Sequence, residues 1–62
     1  MKPYRVTFNG NVSFDFFHKD SLKDLSLACS DNPYIIVQRS KFINRPVSIN
    51  TSNILFISEV TE

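Results

Sequence analysis

One cysteine, one histidine, one glycine and no tryptophan stand in a chain of 62 residues. A lone Cys29 excludes an internal disulfide, and with His18 it leaves no ligand set for a structural metal. One glycine excludes a glycine-rich phosphate loop. No apolar run approaches the ~20 residues of a membrane span. Net charge is +1, which excludes strong steering toward nucleic acid or anionic lipid. The N-terminal Met1 to Arg5 enters an alternating pattern with no apolar h-region, so a cytoplasmic location is expected and both N-x-S/T matches read as chance.

What is present is aromatic. Six Phe and two Tyr dominate a hydrophobic fraction of 42%, enough to argue against disorder. The length admits one domain, 1–62, burying about 60% of its unfolded surface. Stability then comes from packing, with a partner subunit as a further source.

Tyr4, Val6 and Phe8 alternate with polar residues, as do Val12, Phe14 and Phe16. Both read as half-buried strands. Asn9-Gly10 between them predicts a type I′ hairpin turn, which needs positive φ at both central residues. Asp20 or Ser21 caps a short helix, with Ser21 and Asp24 in a capping-box pattern. Leu22, Leu25 and Cys29 share its inner face, Leu27 faces outward, and Asn32-Pro33 ends it. The β-branched run Tyr34 to Gln38 predicts a central strand covered on both faces. Val47 and Ile49 alternate in a short strand begun by Pro46, which suits an edge or a strand start. Ile54 to Ile57 forms the last strand. The order β-β-α-β-β-β defines a small α+β domain, an antiparallel sheet with one helix packed on it.

Asn50-Thr51-Ser52-Asn53 separates the last two strands. Such side chains bond nearby backbone, so the tetrad reads as one helical turn that aims Ile54 at the core. The alternative is a binding loop. The ending VSINTSNILFISEV resembles the close of many small uncharacterised proteins of phages and prophages. It is also similar to the Asn-containing turn of LytTR-type domains and FlbD-like proteins. The likeness covers the last quarter of the chain and implies a mobile-element origin; no functional residue is carried over.

Catalytic candidates are few. Cys29 and His18 are the only nucleophile-base pair available, and the expected arrangement is an inert thiol on the core face with a solvated His18. Asp15, Asp20, Asp24 and Asp31 have no spacing suited to paired acid-base work or a hard-cation site. Neither catalytic residues nor a cofactor is expected. Binding candidates are two. Phe17 breaks its strand's alternation, and with Leu27, Ile54 and Phe56 it forms a candidate protein interface or homodimer surface. Between Gln38 and Pro46 lie Arg39, Lys41 and Arg45 with no acid. With Phe42 they form a candidate nucleic-acid contact, charges for phosphates and a ring for a base. The leading expectation is a non-enzymatic protein that binds and modulates or inhibits a host protein. The alternative is a nucleic-acid-binding domain built on loop 39–45.

Overall fold

A computed structural model describes residues 1–61. Strands β1 (Lys2–Phe8) and β2 (Ser13–His18) precede helix α1 (Leu22–Asp31). Strands β3 (Tyr34–Gln38), β4 (Pro46–Asn50) and β5 (Ile54–Glu59) follow, with a 3-10 turn at Thr51–Asn53 between the last two. The fold is the expected α+β domain: one antiparallel sheet in the order β4-β3-β2-β1-β5, with one helix against it. Among the described residues no helix is long and apolar enough to cross a membrane.

The short connection between β4 and β5 shapes the molecule. In a flat sheet the edge strands of a five-strand order lie about 19 Å apart, at ~4.8 Å per step. From Asn50 to Ile54 the chain can span about 14 Å even when fully extended. The sheet therefore curls, and its two edges meet at the Thr51–Asn53 turn. The tetrad makes that turn as its side chains predict: Asn50 Oδ1 accepts from the Ser52 N–H at 3.0 Å and the Ser52 hydroxyl at 2.7 Å. Two further bonds anchor it, from the Thr51 hydroxyl to the Asn32 carbonyl at 2.6 Å and from the Thr51 N–H to the Pro33 carbonyl at 2.9 Å.

The concave face holds the core: Tyr4, Val6, Phe16, Leu25, Ile35, Val37 and Ile49. Rings run along it in contact, Tyr4 to Phe16 at 5.7 Å, Phe16 to Phe14 at 6.4 Å and Phe14 to Phe8 at 5.4 Å between centroids. The buried Tyr4 hydroxyl donates to the Asp20 carbonyl at 2.6 Å, which satisfies it without water. Ser21 caps α1 by accepting from the Asp24 N–H, and Asn32, extended before its proline, closes the helix on the Ala28 carbonyl. The helix buries Leu25, packs Leu22, Ala28 and Cys29 against the core, and lies against β3 and β5.

Two expectations fail. Positive φ falls on Gly10 and Asn11, so the hairpin has a three-residue loop rather than a two-residue type I′ turn. The Phe8 N–H donates to the Val12 carbonyl and the Asn11 N–H to that of Phe8. Register decides this. Val6 lies opposite Phe14 and Arg5 opposite Asp15; a loop one residue shorter would set Val6 against Ser13 and put the wrong side chains on the core face. Nor is β3 covered on both faces. Ile35 and Val37 are buried, but Tyr34 is 59% and Ile36 66% exposed. Their cross-strand neighbours on β4 are Asn50 and Ser48, which lie on the same convex face.

Candidate functional site

Among the described residues no group of three or more His, Cys, Asp or Glu converges on a metal-sized site. His18 is not solvated as expected. It is mostly buried, and its Nδ1 accepts the Asp20 N–H at 3.1 Å. The Asp20 carboxylate lies 3.7 Å from the same nitrogen. Cys29 is half-buried without a hydrogen bond, and burial pushes its thiol above the ordinary range. No Cys-His pair forms among the described residues.

The four residues of the candidate protein interface do not converge. Ile54 turns inward and packs on the core opposite Phe8. Leu27 is exposed on α1, and its helix-surface neighbours Lys23, Asp24, Ser30 and Asp31 are all polar. Phe17 and Phe56 share the convex face of the sheet, but Arg5 and Asp15 lie between them. That ion pair is bidentate, Nε to Oδ1 at 2.7 Å and Nη2 to Oδ2 at 3.3 Å, and it holds the Asp15 carboxyl below its usual range.

Phe17 has other company. With Met1, Ile36 and Gln38 it lines a shallow depression of about 200 Å³. A second depression shares Met1 and adds Lys41, Phe42 and Ile43. Together they make one surface across the convex side of β3 and the tip of loop 39–45, in which Met1, Phe17, Ile36, Phe42 and Ile43 stand among Lys19, Gln38, Lys41 and Asn44. Phe42 is 86% exposed at its summit. The loop under it is well built. Ser40 Oγ accepts the N–H groups of Phe42 and Ile43, Gln38 Oε1 accepts that of Arg45, and Gln38 Nε2 donates to Asn44. The Arg39 N–H closes the loop on the Arg45 carbonyl.

The basic residues of this loop divide. The Arg39 guanidinium lies 4.5 Å over the Phe14 ring and faces Asp15, while Lys41 lies 5.5 Å from the Phe42 ring. Arg39 and Arg45 line a depression with Ser40, Ile43, Pro46 and Val47, whereas Lys41 and Phe42 line another. They make no single row of charges.

A third feature was not anticipated from the sequence. Between the free side of β4 and the tip of the β1–β2 hairpin runs an open groove of about 550 Å³. Phe8, Phe14, Val47 and Ile49 supply its apolar surface, and Asn9, Asn50 and Asn53 stand at one end. Phe8 and Phe14 look like ordinary core residues in sequence. The pairing of β2 with β3 is sparse, at Phe17 and Gln38, and both rings stay only half-buried. Tyr34 and Ile36 did have a signal: Pro46, Ser48 and Asn50 alternate as a polar face, and residues paired with that face share its exposure.

Compared with known proteins, the chain matches no family model, no curated protein and no solved structure.

Proposed function

We propose that this protein is a small non-enzymatic binding module that acts by covering a surface of another protein. Its contact is the patch of Met1, Phe17, Ile36, Phe42 and Ile43. The observation that carries the reading is Phe42, held 86% exposed on a loop whose backbone is fixed by Ser40 and Gln38. An ordered loop that keeps a large ring in water gains nothing for its own fold, whereas a pre-set anchor lowers the entropy lost on binding. A host protein in a bacterial cytoplasm fits the implied mobile-element origin, and modulation or inhibition follows from occupying the host surface. The nucleic-acid reading of Arg39, Lys41, Phe42 and Arg45 is weaker because those charges face different depressions. A photo-crosslinking amino acid in place of Phe42 tests both. Irradiation in a bacterial lysate yields one dominant protein adduct, absent when the same group replaces Leu27. A nuclease-sensitive adduct, or none, overturns the reading.

A further inference from the structure

The groove beside β4 has a property that an apolar hollow alone lacks. The Arg39 N–H bonds the Arg45 carbonyl, and the Thr51 N–H bonds that of Pro33. These bonds fix the phase of the β3–β4 ladder. In an antiparallel pair alternate residues exchange bonds, so Val37 with Val47 and Ile35 with Ile49 are the bonded pairs. The N–H and C=O of Ser48, the N–H of Asn50 and the C=O of Pro46 then point to the free side of β4. Ser48 to Asn50 line the groove itself, and Pro46, with no N–H to leave unpaired, suits the edge.

We propose that this groove takes an extended peptide segment of a partner protein, which adds to β4 as a sixth, antiparallel strand. Only an extended backbone offers donors and acceptors that match such an edge. Side chains directly across a strand pair share a face. Val47 and Ile49 lie on one face of β4, and Arg45, just before the strand, continues the same alternation, so the added strand carries apolar residues opposite Ile49 and Val47. Both point onto Phe8 and Phe14. Opposite Arg45, on the same face, it carries an acidic residue, because the depression that continues from Val47 is lined by Arg39 and Arg45. The recognised pattern is therefore apolar, any, apolar, any, acidic, read from the peptide's N-terminus. Phe42 lines neither depression, so strand addition here is separable from the Phe42 contact, although Ile43 borders both surfaces.

The capped peptide TVTVTET tests the proposal against the full isotope-labelled chain by NMR. Binding shifts the amides of Ser48 and Asn50 and slows their hydrogen exchange. N-methylation of the third peptide residue, which lies opposite Ser48, weakens binding at least about tenfold, since a paired donor is removed and the edge left unsatisfied. Replacing the glutamate by lysine weakens it roughly threefold at low salt, as expected of a rim charge pair, and Arg45→Glu reverses that preference. Phe42→Ser leaves peptide affinity unchanged. Unmoved Ser48 and Asn50 amides at millimolar peptide, equal binding of the N-methylated peptide, or shifts confined to residues 41–43 would overturn the site. Protection of Ser48 that grows with protein concentration and ignores the peptide would assign the edge to a second copy and overturn it equally.

Discussion

The Asn9 N–H donates to the Asn53 carbonyl at 2.9 Å, joining the tip of the first hairpin to the turn between β4 and β5. Strands from the two halves of the chain are tied where the curled sheet's edges meet. Both residues border the β4 groove, so fold closure and groove shape depend on the same local backbone.

The hairpin loop gives a prediction that separates the observed turn from a type I′ turn. Gly10 has φ +90 and Asn11 φ 62, while Asn9 is not in the positive region. Open space surrounds a Cβ built at Gly10, so a substitution there is penalised by backbone strain alone. Gly10→Val and Asn11→Val each cost about 1–2 kcal/mol, or roughly 4–8 °C in melting temperature per kcal/mol. Asn9→Val is tolerated by comparison. Thermal melts of the three variants check this; a loss confined to Asn9→Val and Gly10→Val would restore the type I′ turn.

The contrast at this loop shows what the sequence made legible and what it did not. Alternation in Tyr4 to Phe8 and in Phe14 to Phe16, the Ser21 cap, the proline stop and the Asn50 tetrad are local signals, and each element appears where its signal lies. The hairpin's loop length and the cover on β3 are set by partners distant in sequence. Ile36 is exposed because its cross-strand neighbour Ser48 belongs to an uncovered face, a fact of register that a run of β-branched residues does not carry. The candidate surfaces were the least legible for the same reason. Phe17 joins Met1, Ile36 and Phe42 through tertiary placement, and Leu27, its suggested companion, sits alone.

Thr51 secures the edge-to-edge turn to the end of α1. Removal of its hydroxyl in Thr51→Val leaves the Asn32 carbonyl to water and lowers stability by about 0.5–1.5 kcal/mol. Thr51→Ser keeps the donor and most of that stability. Urea midpoints at unchanged slope measure both; a loss in Thr51→Ser with none in Thr51→Val would place the effect in the methyl group.

Arg5 and Asp15 predict the acid limb of stability. The hydrogen bond from Arg5 depresses the folded Asp15 carboxyl below its unfolded value. The contribution is therefore present above the unfolded pKa and is lost as pH falls through the folded one. Both groups are about half exposed, 53% and 52% by side chain, so salt screens the effect. Asp15→Asn makes the melting temperature less dependent on pH below 4 or so, the ordinary carboxylate region. An unchanged acid limb would mean that another carboxylate governs it.

Tyr4 and Cys29 act at the opposite limb. Burial raises both pKa values in the folded protein, with Glu59 and Asp20 adding to the rise at Tyr4. Their contribution is complete below the unfolded values and is lost as pH rises through the folded ones, because the unfolded chain ionises first. Cys29→Ala flattens the first part of that alkaline loss, near the ordinary thiol value of about 8.5. The same burial slows reaction of the Cys29 thiol with a disulfide reagent in native protein relative to denatured protein. Equal rates in the two states would place Cys29 at the surface.

Leu27 and Phe42 test where association occurs. Both are exposed, 54% and 86%, so Asp at either position leaves the unfolding free energy within about 0.5 kcal/mol of wild type. Their surroundings differ. Leu27 stands among Lys23, Asp24, Ser30 and Asp31, a setting with no further apolar area to bury. Phe42 adjoins Ile43 and Met1 and, through Met1, Phe17 and Ile36. Burial of apolar area contributes roughly 25 cal/mol per Å², which gives weight to the surface where such side chains are contiguous. Partner capture through this patch, or self-association through it at micromolar concentration, is therefore lost in Phe42→Asp and kept in Leu27→Asp. Sedimentation measures the self-association and pull-down from lysate the partner. If Leu27→Asp abolished either while Phe42→Asp did not, the helix's outer face would be the contact. If Leu27→Asp unfolded the chain, the helix would be turned about its axis, and Leu25 would no longer be its buried residue.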